Sequence, residues 1–539
     1  MAIMRFTASA DNTITNAYRS SLLDNQRATG SNMGAADVLE VFSIYSQASS
    51  SSGELSRALV KFPVTEISAS RLSGDVPASG SVNFFLRMFN AKHAATTPSN
   101  YSMQVVPVSQ SWEEGTGLDM DEYKDKTKDG VGSNWLRRTG NTAWDLVGGD
   151  YDYEPKYSVS FGEGEEDLEV DITELVEEWI AGLSETVDGD VDQRTNYGVG
   201  VFLDSTFEAY HSSSALTEND GVTTGLPADG VLLHNVTGSK RSYYTKKFFS
   251  RSSEFFFKRP IIEARWDSST KDDRGNFFAS SSLSDETSNL NTIYLYNIVR
   301  GQYKNIPSIG DGEIYVRIYL DESDENSEFL TDIKQKVGTE TSITTKNAFV
   351  TGGLVPGETG IYSASFSLDT TSSVVYDRWF AADTSVSDTG APTSICFHTG
   401  SVNVNQLEAS KYNNTNPKYV TTIMNMKPSY DRDEVARFRL YTRERNWCPN
   451  NYTKFTTDVS SSIIDNAYFK LVRIQDDLDV VDYGTGSLNH TLLSYDNQGN
   501  YFDLDMSMLE KGYSYGIKLV YKSDTVYHEQ PEIFKFRVE

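Results

Sequence analysis

The stretch EIYVRIYLD, residues 313–321, sets Ile314, Val316, Ile318 and Leu320 on one side of an extended chain and Tyr315, Arg317 and Tyr319 on the other. An apolar side chain at every second position is the period of a half-buried strand, whereas a helix repeats near every third and fourth. The same alternation returns in SVNFFLRMFNA (81–91), ARFRLYTRE (436–444), YGIKLVYK (515–522) and IFKFRVE (533–539). Tyr (31) and Phe (27) are abundant, and both favour pleated surfaces. An all-β chain is expected from end to end.

One segment breaks the period. In DITELVEEWIAGL (171–183), Ile172, Leu175, Val176, Trp179 and Ile180 recur at helical spacing, Asp171 and Glu174 form a capping-box pattern, and Gly182 marks a stop. The spacing predicts one short helix laid on a sheet, with those five side chains as core.

At 539 residues the chain exceeds what one hydrophobic core serves, and a prior of roughly 150 residues per domain suggests about three or four. Composition shifts at 267–289 (DSSTKDDRGNFFASSSLSDETSN) and 408–419 (EASKYNNTNPKY) predict domains at 1–268, 269–418 and 419–539. The last two have the size and strand spacing of immunoglobulin-like sandwiches, without the paired cysteines of antibody domains. DDRGN (272–276) and YDNQGN (495–500) read as turns.

Charge and cysteine usage exclude several functions. A net charge of −28, from 48 basic and 76 acidic residues, disfavours nucleic-acid binding, which needs clustered Lys and Arg. The acidity reads as solubility. Cys396 and Cys448 are the only cysteines, so neither a disulfide framework nor a thiolate metal cluster is expected, which suits a reducing cytoplasm. The opening MAIMRFTASADNTITNAY lacks the basic and apolar regions of a signal peptide, and no run of 18 apolar residues occurs; no membrane insertion is expected.

Catalytic templates fail. There is no G-x-S-x-G, H-E-x-x-H or G-x-x-x-x-G-K-[ST], and HEQPE at His528 lacks the second histidine. A glycosidase draws two carboxylates from distant strands and leaves no local spacing, so that class alone stays open. The acidic stretch DMDEYKDKTKDGVGSNW (119–135) places Asp125, Thr127, Asp129 and Gly130 at calcium-loop positions but Leu136 where a bidentate Glu belongs. It reads as a solvated connection between two core anchors, Trp112 and Trp135. The expectation is a non-enzyme with no metal and no cofactor.

YYTKKFFSRSSEFFFKRP (243–260) departs most from the acidic background. Either Phe248, Phe249, Phe255, Phe256, Phe257, Lys258 and Arg259 form an interface, since aromatics with Arg are what protein contacts favour, or these are closing strands with their rings packed inside.

Order and motif together suggest a family. FTASADNTIT (6–15), LSRALVKFPV (55–64), SWEEGTG (111–117), GSNW (132–135), AWDLVGGDYD (143–152), VDITELVEEWI (170–180), NYGVGVFL (196–203) and RPIIEARW (259–266) run in an order that resembles the DNRLRE-type domain. That domain is a jelly-roll β-sandwich of bacterial surface and phage proteins; its naming hexapeptide does not occur here. The remainder, through TKKFFSRSSEFFFKRPIIEARWDSS, RFRLYTRERNW and the tail from GNYFDLDMSMLEKGYSYGIKLVY to EQPEIFKFRVE, resembles virion structural proteins of tailed phages of marine and cyanobacterial hosts. The resemblance implies a many-copy component of a neck, tail, baseplate or fibre, assembled in the host cytoplasm with other virion proteins and itself. A rival reading is an adhesin for host-surface glycans, in which Trp112, Trp135 and Trp144 stack on sugars.

Overall fold

The computed structural model describes residues 2–19, 27–47, 52–92, 98–118, 123–127, 131–183, 193–212, 232–282, 284–322, 329–330, 333–335, 343–346, 349–381, 396–405, 418–446, 461–523 and 525–539. Two compact units divide between Trp266 and Asp267. That division lies two residues from the boundary expected at 268, whereas the boundary expected at 418 falls within the second unit.

The first unit runs β1 (Ile3–Thr7), β2 (Ala10–Thr15), β3 (Val38–Tyr45), β4 (Gly53–Lys61), α1 (Val64–Ser73), β5 (Asn83–Met88), β6 (Tyr101–Pro107), β7 (Tyr157–Phe161), β8 (Leu168–Asp171), α2 (Thr173–Ala181), β9 (Val199–Leu203), β10 (Tyr243–Phe249) and β11 (Ile261–Arg265). The smaller sheet has the order β1-β11-β5-β8, and the larger β10-β3-β4-β9-β6-β7, with β2 added to β4. Neighbours are antiparallel throughout. Phe6, Phe84, Leu86 and Ile262 of the smaller sheet meet Val41, Ala58, Val60, Met103 and Val201 of the larger in one core, giving a jelly-roll-like β-sandwich.

Strand β4 lies at the centre and is buried from Gly53 to Val60. Its alternation still operates: Ala58 and Val60 enter the inter-sheet core, while Leu55 and Leu59 enter a second cluster on the opposite face. A strand covered on both sides loses the polar-out half of the pattern.

Helix α2 forms where the spacing predicts it, with Ile172, Leu175, Val176 and Trp179 in the core. Two details differ. Ile180 is only half-buried and Glu178 takes a buried place, its carboxylate accepting from Arg194 Nε at 2.7 Å. The helix starts without a capping box: Asp171 Oδ1 accepts from the Thr173 N–H at 2.9 Å and no side chain bonds from the cap residue Ile172.

Helix α1 corrects the expectation of a single helix. VTEISASRLS buries only Val64 and Ile67, so it carries no apolar stripe for periodicity to detect. Its end signals are present: Pro63 precedes it, and Gly74 follows at φ +87°, the left-handed stop that glycine adopts without strain. Arg71 ties it to α2 through a bidentate pair with Glu177 at 2.6 and 2.7 Å.

The second unit contains two sheet systems on either side of the boundary expected at 418. Between Phe277 and Asn405 one nine-stranded sheet is continuous, and it folds over on itself: Phe277 on a strand at one end of the order touches Phe366 near the other, ring centroids 5.5 Å apart. Ile314, Val316 and Ile318 line its core as the opening alternation predicts. Leu320 does not, because the strand ends at Tyr319 and leaves it exposed, while Arg317 and Tyr319 on the other face are buried too. Between Tyr419 and Val538, a four-stranded and a six-stranded sheet are joined by aromatic contacts. Phe502 and Phe469 stack at 4.3 Å, and Phe438 meets Phe536 at 5.8 Å.

The two predicted turns meet each other. Asp272 N–H donates to the Tyr495 carbonyl at 3.0 Å, Tyr495 N–H to the Thr270 carbonyl at 3.0 Å, and the Tyr495 hydroxyl to Asp273 Oδ1 at 2.6 Å. Among the described residues no helix is long and apolar enough to cross a membrane. Cys448, Asp129 and Gly130 lie outside the described residues.

Candidate functional site

The aromatic strip at 243–260 divides between the two readings open to it. Strand β10 pairs with β3, and the alternation sends Phe248 fully into the inter-sheet core and leaves Phe249 half-buried. Lys246 is buried as well, its ammonium donating to Asn90 Oδ1 at 2.9 Å and the Gly164 carbonyl at 3.0 Å. Burial pulls that ammonium down to about 8, against the opposing pull of Glu166, Asp167 and Glu165.

Beyond the strand the chain turns, and the reading changes. Phe257 is buried, whereas Phe255 and Phe256 stand 47% and 38% exposed. The turn is braced from within: Arg259 Nε donates to the Ser253 carbonyl at 2.9 Å, and Lys258 N–H to the Phe255 carbonyl at 2.9 Å. Lys258 Nζ lies 5.2 Å from the Phe249 ring and Arg259 5.9 Å from that of Phe256, within cation–π range. The result is an apolar tip with two cations on its flanks.

The tryptophans lie elsewhere. Trp135 and Trp144 are fully buried, and Trp112 is half-buried with its indole N–H donated to the Tyr197 carbonyl at 2.7 Å. With Ile14, Leu55, Leu59, Val108 and Val147 they make a third layer over the outer face of the larger sheet. An enclosed indole has no face to give a sugar, which corrects the stacking role for Trp135 and Trp144 and bears out Trp135 as an anchor.

Sequence reasoning missed the polar knot beneath this layer. Asn32 Nδ2 donates to the carbonyls of Glu114 (2.7 Å) and Ser133 (2.9 Å), and its Oδ1 accepts from the Gly117 N–H at 3.1 Å. A Cβ on Gly117 would lie 1.7 Å from the Asn32 carbonyl oxygen, so SWEEGTG needs glycine there for close approach. Asp125 belongs to the same closure, Oδ2 accepting from the Leu118 N–H at 2.7 Å. Next to it Glu114 accepts from Arg251 Nε (3.0 Å) and Nη2 (2.8 Å) and from the Asp11 N–H (2.9 Å). Burial pushes the fully enclosed Asp11 carboxyl up to about 7; the Arg251 N–H opposes this and Glu114 adds to it.

A cleft of about 550 Å³ opens beside the tryptophan layer, lined among others by Gln104, Leu146, Tyr153, Glu208 and Val236. On its floor Arg57 forms a bidentate pair with Glu208, each bond 2.9 Å. Burial opposes the charge on Arg57, and the Glu208 carboxylate overcomes it, holding the guanidinium above its ordinary value. Among the described residues no group of three or more His, Cys, Asp or Glu is placed to hold a metal ion.

No known protein family matches the chain, and neither does any curated protein sequence.

Proposed function

We propose that this chain is a structural component of a tailed-phage virion, in the neck or collar, tail, baseplate or fibre, assembling in the host cytoplasm with other virion proteins and with copies of itself. The observation that carries the assembly role is the turn at Phe255 and Phe256. Two exposed aromatic rings on an internally braced loop cost a soluble monomer hydrophobic surface and give an interface its anchors. Lys258 and Arg259 flank those rings, and the rest of the chain is acidic, so a second copy offers complementary charge. Placement in a phage particle rests on the resemblance of 245–269 and of the C-terminal stretches to tailed-phage virion proteins. The role is mechanical and adhesive, with binding energy drawn from buried aromatic area instead of chemistry.

The test is a double variant, Phe255→Ser with Phe256→Ser. Both side chains are exposed, so the melting temperature should stay within a few degrees of the parent. The wild type should be found in purified particles and located in a density map of them, and the variant should be lost from them. Absence of the wild type from particles would sink the proposal; equal incorporation of the variant would sink the role of the turn.

A further inference from the structure

We propose that the cleft above Arg57 and Glu208 is a subsite for one neutral sugar ring. The first reason is an unmet hydrogen bond. Strand β6 alternates, sending Met103 and Val105 into the inter-sheet core and Gln104 to the outer face, where it lines the cleft. Gln104 is only 3% exposed; its Nε2 donates to the Leu203 carbonyl at 3.3 Å, while its Oε1 has no partner among the described residues. A buried acceptor left unpaired costs stability; Oε1 is itself enclosed, so a bound hydroxyl supplies the missing donor once the amide turns toward the cleft.

Charge narrows the ligand. Arg57 is neutralised by Glu208, and Lys156 on the rim has Asp204 at 3.5 Å. Among the described residues that line the cleft, neither Arg57 nor Lys156 is left as an uncommitted cation for a phosphate or carboxylate, and the chain as a whole repels anions. The walls complete the description: Leu146 and Val236 are exposed apolar groups, and the Tyr153 ring is 50% exposed at the mouth. A sugar ring has hydroxyls along its edge and C–H groups on its face, which suits a polar floor and an aromatic wall together. The volume, about 550 Å³, falls in the range of roughly 300–1,000 Å³ typical of small-ligand sites.

The inference is independent of the virion reading, and its failure leaves that reading standing. Saturation-transfer NMR on the full chain, with the methyl glycosides of glucose, galactose, mannose and N-acetylglucosamine at about 10 mM, reads weak binding directly. At least one glycoside should receive transfer, and inorganic phosphate should show no line broadening. Tyr153→Ala, at an exposed position, should weaken binding about tenfold. Gln104→Leu should abolish it with little change in melting temperature, because the loss of the long Nε2 bond to the Leu203 carbonyl is offset by removal of the unpaired acceptor. No transfer to any glycoside overturns the proposal. So does transfer that Tyr153→Ala leaves unchanged, which decides the matter if Gln104→Leu fails to fold. Phosphate broadening that disappears with the same variants overturns the neutral class.

Discussion

Asp11 carries its titration into the physiological range because burial, not catalysis, sets it. Its carboxyl takes up a proton near pH 7 in the fold, against 3.8 as its ordinary value. Between those limits the folded chain holds a proton that the unfolded chain has released, so stability falls as pH rises through the window and is level above it. Asp11→Asn has no such dependence. Its advantage over the parent should grow from about pH 4 to about pH 7, reaching roughly 3–4 kcal/mol, read from urea melts of both proteins across that range. A gap that does not change with pH would show that Asp11 stays ionised. Nothing in ADNTIT announces this, because the groups that matter to Asp11 are Glu114 and Arg251, distant in sequence. Asn32 was invisible for the same reason, whereas Trp135 was legible because a large apolar side chain flanking a charged loop has few alternatives to the core.

Elements were legible in proportion to the regularity of their apolar pattern. Helix α2 with its cap residue Ile172 places four apolar side chains in the core and was predicted; α1 places two and was not. The distinction has an energetic side. Trp179 is buried, and its indole Nε1 has no hydrogen-bond partner among the described residues, so it stabilises by volume alone. Trp179→Ala should cost about 3–5 kcal/mol through the cavity it leaves. Trp179→Phe keeps most of the volume and removes an unpaired donor, so it should cost less than about 1.5 kcal/mol. Chemical denaturation of the two variants separates the contributions: a Phe loss well above that bound would mean that the N–H is paired, and losses equal to that of Ala would overturn the volume account. Strand β4 shows the opposite limit of legibility. GELSRALVK reads as a poor strand on both faces, with Glu54 and Ser56 beside Ala58 and Val60 and Arg57 between Leu55 and Leu59, yet all three polar residues are buried, Arg57 on the face that the Trp135 and Trp144 layer covers.

At the scale of the whole molecule, the β class was readable from period alone, and the polar run from Asp267 begins where the two compact units divide. The boundary at 418 was read from composition, yet the stretches to either side of it share one unit, bound by polar contacts between the turns at 270–273 and 494–495 that no local pattern encodes. The first unit has its own core and pairs its own first and last strands, so a fragment of residues 3–266 should fold alone. A single cooperative calorimetric transition with near-ultraviolet dichroism would be the sign, and a non-cooperative melt would show that the unit needs the rest of the chain. Because β1 and β11 run antiparallel with Ile3 opposite Arg265, the chain enters and leaves this unit at one point. Force applied between residues 3 and 266 would therefore load the terminal pair at one end and peel β1 from β11 a bond at a time, the mode in which hydrogen bonds share load least. In a part that bears force, this jelly roll would act as an extensible fuse, yielding at low force and re-zipping when released, and rigidity would have to come from contacts across its faces instead of from its backbone.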